Sequence, residues 1–535
     1  METNLLFQTI IYEAQDIDLS IIKISQLKQM LNSSGNLFII ANNIYKNGII
    51  ENSFFDFIEI ALNNELKYVN TIVFPIENSK EGLNHNIKYL IWFVQDYNLM
   101  TFNKDTIREK HIWKDVEWGK RKKNYNEKGK DPSNVWIPTI DDGKGKITSH
   151  IILSIEQIIN RCLVSTTKKN DQILIEMGYD LNKKDLIGER KIKILTNSLV
   201  INNSSLDNSS LDNSSLDNSS LDNSSLDNSS LDNSSLDNSS LDNSSLDNSS
   251  LDNSSLDNSS LDNSSTADVY FKSSESMKEI KDNSVSLMVT SPPYWDLKNY
   301  FKKGQIGQEN YEDYLNRLDS IWKETFRVLK LDGSMWININ TRTKDKKPIL
   351  IPHDIIKRCK KIGFKLKDII IWHKSSGIPT HKNNLVDKYE YFLWFSKTNK
   401  TNLNINNIKE LNDYKNNYLN NGLIWNINRK AGSVGKDFIH PAIYPTELID
   451  RVIKLMTIEN DIVIDPFLGS GTSMLSSLKN NRNFIGYEYN EDFLDLMNYR
   501  INEDKLNSKN SINFHFSKRI INKNKVFRKD SIDGN

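Results

Sequence analysis

Two short segments in the second half of the chain carry the residue types that chemistry needs. Ser286 to Thr290, SLMVT, is an apolar, β-branched run of the kind that forms a buried parallel strand. Ser291-Pro292-Pro293-Tyr294 follows at once. Two prolines cannot continue a ladder, so the strand must stop there with its backbone fixed. Prolines donate no N–H, so the corner offers carbonyl acceptors, and the Ser291 hydroxyl can add another. Such acceptors suit an amino group that loses protons while it attacks an electrophile. Tyr294 gives a flat face on which a ring can stack. An ordinary strand-ending turn would use the same residues, so this corner alone leaves both readings open.

The second segment runs from Asp461 to Glu488. Asp461 to Asp465, DIVID, reads as a strand. Pro466-Phe467-Leu468-Gly469-Ser470-Gly471-Thr472 reads as a tight glycine turn, with a helix beginning near Ser473. Asn483 to Glu488, NFIGYE, reads as the next strand, ending in an acid. Glycines let a backbone approach a ligand closely, and an acid about 20 residues beyond such a turn commonly holds ribose hydroxyls. Glu488 stands 19 residues beyond Gly469. A nucleoside-bearing cofactor fits this order of elements, and the departure from GxGxxG argues against NAD. Both segments fall just past the carboxyl ends of strands, where open α/β sheets place their ligands.

Together these residues resemble the amino-methyltransferase family of DNA-modifying enzymes. TSPPYWDLKNY (290–300) is similar to the family's catalytic motif. HPAIYP (440–445), DPFLGSGTS (465–473) and IGYE (485–488) are similar to its cofactor-binding series. The order, catalytic motif first and cofactor motif last, matches the family's β arrangement, with target recognition between the two. The resemblance covers residues 268–501. It implies a doubly wound, Rossmann-like α/β methyltransferase fold and S-adenosyl-L-methionine as cofactor. Phe467, Gly469, Ser470, Gly471 and Thr472, introduced by Pro466, would wrap its methionine portion, with Asp465 beside its charged groups. Glu488 would hold the ribose, and His440, Tyr444, Pro445 and Thr446 would close the pocket. Ser291 and the Pro292 carbonyl would accept hydrogen bonds from the target amine, with Pro293 fixing the corner. Tyr294 would stack on a base flipped out of double-stranded DNA. No metal is expected. A serine at the start of the motif favours cytosine N4 over adenine N6 as target.

The elements that must position these residues fill only half of the chain. Asn203 to Asp262 is twelve perfect copies of NSSLD, and a partial copy ends at Ser265. Read as a polar linker, this tract buries too little to fold. Read as S-S-L-D-N, it resembles the pentapeptide-repeat family and would form a small β-solenoid. It divides the chain into residues 1–202, 203–265 and 266–505, with a polar basic tail over 506–535. Twelve Asp and no Lys or Arg lie in the repeat, so the formal net charge of zero conceals an excess of twelve basic residues outside it. A moderately basic folded part suits a phosphate-bearing partner.

The flanks of the repeat resemble one another. Residues 150–171 align with 440–461 at a constant offset of 290, sharing His, Arg, Thr, Asn and Asp. SSGNLFIIA (33–41) parallels LDGSMWINI (331–339), KYLIWFV (88–94) parallels EYFLWFS (390–396), and NVWIP (134–138) parallels LIWNI (423–427). The first half is expected to be a degenerate second copy of the fold. Thr9-Ile10-Ile11-Tyr12 is taken as its counterpart of the proline corner, and the stretch from Glu176 as its counterpart of the glycine turn. Neither keeps the needed residues, so this copy should bind no cofactor. GKRKKNYNEKGK (119–130) is its densest basic run, either a DNA contact or a solvated loop. Residues 397–436, rich in Asn and Lys, stand where target recognition is expected, or form a low-complexity loop.

Several classes are excluded. No apolar run approaches the ~20 residues of a membrane span, and the N-terminus lacks the pattern of a secretory signal. A cytoplasmic protein is expected. Cys162 and Cys359 each follow an arginine and form no metal-binding pair, which argues against carbon-5 cytosine methylation, whose nucleophilic cysteine usually follows a proline. The expected function is site-specific DNA methylation within restriction–modification, with nuclease activity on a separate endonuclease chain. Methylation of RNA, and a noncatalytic DNA-binding protein that retains the fold, are the competing readings.

Overall fold

A computed structural model describes residues 5–76, 87–111, 126–141, 147–187, 190–196, 264–297, 302–374, 384–404, 422–429 and 445–516, with short pieces at 407, 433–434 and 438–439. Before the repeat, the chain forms β1 (Phe7–Glu13), α1 (Ile17–Met30), β2 (Leu31–Ala41), a hairpin of β3 (Ile44–Lys46) and β4 (Ile49–Asn52), α2 (Phe54–Asn63), β5 (Lys67–Pro75) and β6 (Ile87–Val94). A small pair, β7 (Thr139–Asp141) and β8 (Ile147–His150), precedes α3 (Ile155–Thr166), β9 (Gln172–Met177) and β10 (Lys191–Thr196). After the repeat come β11 (Thr266–Phe271), β12 (Val285–Thr290), α4 (Tyr311–Val328), β13 (Leu329–Ile339), a hairpin of β14 (Arg342–Lys344) and β15 (Lys347–Ile349), α5 (Ile351–Ile362), β16 (Lys365–His373) and β17 (Tyr389–Ser396). The chain ends with β18 (Ile424–Asn426), the two-residue strands β19 (Ser433–Val434) and β20 (Phe438–Ile439), α6 (Thr446–Met456), β21 (Ile462–Asp465), α7 (Thr472–Lys479), β22 (Asn483–Tyr487), α8 (Leu494–Glu503) and β23 (Ser511–Phe516).

Local sequence explains these elements. Every residue of β12 is buried, as its unbroken apolar run requires. Asn310 caps α4 by accepting from the Asp313 amide, and acids fill the helix's first turn. The buried face of α4 is Tyr314, Leu315, Leu318, Ile321 and Trp322. Ser154 and Gln157 form a capping box at the start of α3. Strand β23 corrects the expected tail at 506–535: Ser511–Phe516 pairs in parallel with β11. The alternation in SINFHF puts Ile512 and Phe514 against the core, and a two-residue period of this kind marks a strand.

Two sheets result. The first has the order β10-β9-β1-β2-β6-β5, and the second β18-β16-β17-β13-β12-β21-β22-β11-β23. In each, one strand is antiparallel to both its neighbours: β6 between β2 and β5, and β17 between β13 and β16. The pairing registers let the sheets be matched residue by residue. Asn36 of β2 faces Val94 of β6, and Ser334 of β13 faces Ser396 of β17. Thr9 pairs with Asn36 and Leu287 with Ser334. Thr9 to Tyr12 therefore correspond to Leu287 to Thr290, inside the strand. The residues at the place of the proline corner are Glu13, Ala14, Gln15 and Asp16, which also lack proline. The counterpart expected at Thr9-Ile10-Ile11-Tyr12 thus lies four positions too early, because apolar strand interiors look alike. By the same registers Ile175, not Glu176, stands where Asp465 does.

Residues on both sides of the repeat form one compact unit, Met1–Asn197 with Asn263–Asn535, and share an apolar core. The aromatic rings of Phe54 and Phe55 on α2 pack against Tyr391 of β17 at 5.7 and 5.1 Å. The contacts between halves are reciprocal: β4 lies against β16, and β15 lies against β5. Glu59 of α2 binds His353 at 3.2 Å and Lys357 at 2.8 Å, both on α5. No helix among the described residues is long and apolar enough to cross a membrane.

Candidate active site at the strand ends

The proline corner and the glycine turn leave neighbouring strands on the same edge of the second sheet. Strand β12 pairs in parallel with β21, Met288 opposite Ile464. A single buried carboxylate ties the two segments together. Asp465, at the end of β21, is fully buried. It accepts from the Thr290 hydroxyl at 2.5 Å, one residue before Ser291. It also accepts from the Phe467 amide at 2.9 Å and the Ser473 hydroxyl at 2.5 Å, so it shapes the turn as well.

The glycine turn takes a left-handed backbone that its two glycines adopt without strain. Gly469 has φ of 53° and Gly471 of 81°, left-handed values that side chains disfavour. Gly471 is the N-cap of α7. The Gly469 amide donates to Glu488 Oε2 at 2.8 Å, and the Asn490 amide donates to Oε1 at 2.7 Å. Burial pushes the Glu488 carboxyl up to about 7 despite these amides, with nearby Asp465 adding to the rise. Phe467 is half-buried at the mouth of the turn, while Pro466 is buried and its carbonyl accepts from the Ser274 hydroxyl at 2.9 Å.

Ser470 and Thr472 face inward. Arg500 of α8, itself buried, donates through Nη1 to the Ser470 carbonyl at 2.7 Å and to both hydroxyls at 2.9 Å. Both hydroxyl oxygens therefore serve as acceptors that fix the turn to α8. Arg500 escaped the sequence reading; its one signal is an arginine in line with the buried Leu496, Met497 and Ile501.

The proline corner is held by residues from distant elements. The Pro293 carbonyl accepts from the Tyr314 hydroxyl at 2.6 Å. Tyr294 donates to Glu390 Oε2 at 2.6 Å, with Asn338 Oδ1 at 3.3 Å. Trp295 has φ of 50°, and its ring nitrogen donates to the Glu309 carbonyl at 2.8 Å. Gly307 passes so close that an added Cβ would lie 2.7 Å from the Trp295 carbonyl. Tyr314, Glu390 and Glu309 have no signal in the local sequence. Pro445 is the buried N-cap residue of α6, and Thr446 is its first residue. His440 and Tyr444 lie outside the described residues, as do the whole NSSLD tract, residues 119–125 of the basic run and most of 397–436.

At the corresponding strand ends of the first sheet, ion pairs gather. Lys88 binds Glu13 at 2.7 Å, Lys23 binds Glu176 at 2.6 Å, and the Gly178 amide donates to Glu13 at 3.1 Å. Ile175 and Thr196 stand where Asp465 and Glu488 do, by the registers of β9 with β10 and of β21 with β22. Cys162 and Cys359 are buried, and burial raises both thiols, so neither is poised as a nucleophile.

The sequence matches the family described as DNA methylase, the N6 and N4 methyltransferases, over residues 19–174 and 285–499. The chain belongs to this DNA methylase family. Type II methyltransferase M.Cfr9I of Citrobacter freundii is 30% identical over 264 residues, covering 43% of this chain and 86% of that protein. Type II methyltransferase M.MthZI of Methanothermobacter thermautotrophicus is 31% identical over 279 residues, covering 45% of this chain and 77% of its own length. Among solved structures, the cytosine-N4-specific PvuII DNA methyltransferase aligns at 21% identity with a TM-score of 0.38, covering 47% of this chain and 95% of that one. The complex of M1.HpyAVI with S-adenosylmethionine aligns at 23% identity with a TM-score of 0.31, covering 44% and 99%.

Proposed function

We propose that this methylase moves a methyl group from S-adenosylmethionine to the N4 amine of cytosine in double-stranded DNA. The observation that carries the reading is the hydrogen bond from Thr290 to Asp465, which couples the proline corner to the glycine turn. When bound, the cofactor supplies an electrophilic sulfonium methyl. The residues present fit it: left-handed glycines open the turn, and the Glu488 carboxylate, held by backbone amides, has lone pairs that can accept from ribose hydroxyls. Asp465 organises the turn and places its negative charge behind it. Phe467, Gly469, Ser470, Gly471 and Thr472, with Pro466 before them, form the cradle; His440, Tyr444, Pro445 and Thr446 would close it.

The Ser291 hydroxyl and the Pro292 carbonyl accept from the target amine, because the Pro293 carbonyl is taken by Tyr314. Tyr294 stacks on the flipped base. Positioning and fixed dipoles supply most of the rate gain. Adenine N6 is the alternative target.

The first half reads as a diverged copy of the same fold that has lost its site. Matched strand order and registers support this, as does the family match on both sides of the repeat. A role in restriction–modification, with a separate endonuclease, accords with the type II names of the relatives. The test is incubation with methyl-labelled S-adenosylmethionine and unmodified DNA or RNA, followed by nucleoside analysis. N4-methylcytosine in DNA is expected. N6-methyladenine would move the target, label in RNA would move the substrate, and cofactor binding without transfer to either would overturn the enzymatic reading.

A further inference from the structure

Tyr294 is anchored by an ion pair outside both motifs. Its hydroxyl donates to Glu390 Oε2 at 2.6 Å, and the other oxygen of Glu390 takes Lys374 Nζ at 2.8 Å. Both charged side chains are mostly buried, 19% and 15% exposed. Glu390 lies on β17, and Lys374 follows the last residue of β16, whose Trp372 faces Glu390 across the ladder. A tyrosine that must receive a base with its face has two rotatable side-chain bonds to freeze. A charge-assisted hydrogen bond of this length freezes them before the base arrives.

The ion pair is in turn held by the first half of the chain. The Lys374 amide donates to the Lys388 carbonyl at 2.6 Å. The Lys388 amide donates to Asn134 Oδ1 at 3.0 Å, and Asn134 Nδ2 donates to Asp387 Oδ1 at 2.9 Å. Backbone bonds run the same way: the Asn134 amide to the Val386 carbonyl at 3.1 Å, and the Val386 amide to the Pro132 carbonyl at 2.9 Å. The Asn134 carbonyl accepts from the Val73 amide of β5 at 2.9 Å. Hydrogen bonds thus run continuously from the first sheet to the hydroxyl of Tyr294.

We propose that Glu390 is a positioning residue for Tyr294, and that the first half of the chain acts on the reaction by bracing Glu390 and Lys374 through Asn134. The inference rests on the methyl-transfer reading above. It gives the half without a site a part in catalysis that requires no contact with DNA.

The test is a double-mutant cycle on the full chain, with single-turnover methyl transfer to unmodified plasmid DNA as readout. Tyr294→Phe and Glu390→Ala should each slow transfer roughly tenfold, and together no more than either alone. Glu390→Gln, which keeps an acceptor oxygen, should recover most of the loss. Asn134→Ala should cost about threefold, and nothing further in the Tyr294→Phe background. Cofactor affinity by calorimetry and the KM for DNA should stay within about twofold, and melting curves should show folded variants. Additive losses, or an effect on KM alone, would overturn the inference while leaving the activity intact. A wild-type chain that methylates no DNA would sink the activity reading and this inference with it.

Discussion

The six strands of the first sheet repeat the order of six of the nine in the second, but the two do opposite things at corresponding strand ends. In the second, a hydrogen bond from Thr290 to Asp465 joins the proline corner to the glycine turn. In the first, Ile175 replaces the carboxylate, and Glu13, at the place of Ser291, is bound to Lys88. The registers put Lys88 at the position of Glu390. One strand position therefore holds a cation paired with Glu13 in one sheet and an anion bonded to Tyr294 in the other. Sheet architecture survives such exchanges because the strands are held by backbone pairing and a shared core. A site does not, because it depends on a few side chains at strand ends.

The widest gap between the two edges should appear on removing Asp465. Asp465→Ala leaves two hydroxyls and an amide without their charged partner, worth on the order of 4 kcal/mol in all. Methyl transfer should be lost and S-adenosylmethionine affinity should fall at least ~100-fold, read by calorimetry. Ile175→Ala, at the same strand position of the first sheet, should cost about 2–5 kcal/mol in urea unfolding and leave cofactor affinity unchanged. Equal effects of the two on affinity would break the comparison.

Next in size is the ion pair at the strand ends of the first sheet. Lys88 and Glu13 are 15% and 9% exposed, so Lys88→Met strands a buried carboxylate. Stability should fall by about 3 kcal/mol, with the rate of methyl transfer by the folded chain unchanged. A smaller effect is expected at Gly471, where φ of 81° and Met474 and Met497 carbons at 3.4 Å oppose a side chain. Gly471→Ala should cost about 1–2 kcal/mol and weaken cofactor binding several-fold, measured by melting and calorimetry.

The smallest effect concerns Glu488. Its carboxyl is raised from 4.5 to about 7 in the fold, so ionising it opposes folding. Its contribution is fully present at acid pH and is lost as pH rises from the ordinary carboxylate range through about 7. Glu488→Gln should flatten this part of the pH dependence, a difference of about 1–2 °C in melting temperature between pH 5.5 and 7.5 without cofactor. A wild-type chain that gained stability over that window relative to the variant would reverse the assignment.

Much of this was legible in the sequence where chemistry is local. The strand, glycine turn, helix, strand and acid over 461–488 follow from residue types in order, and so does the end of β12 at two prolines. The paired segments 33–41 with 331–339, and 88–94 with 390–396, lie on matching strands of the two sheets. Residues that act across the fold were not legible. Tyr314, Glu390 and Arg500 reach the site from remote elements, and nothing near them in the chain marks their partners. The counterpart of the proline corner was misplaced for a related reason: one apolar strand residue looks like another until hydrogen-bond register fixes its depth.

The reciprocal seam, β4 on β16 and β15 on β5, has one more implication. In an assembly of identical subunits, each substitution appears on both sides of the axis and must suit both. Here the two sides are encoded separately, so each can be tuned alone. Tyr45 donates to Asp368 at 2.9 Å, while Asn70, at the matching place in the other sheet, binds Asn384 at 3.2 Å. Freed from repetition, the two sides of the seam carry different hydrogen bonds at matching places.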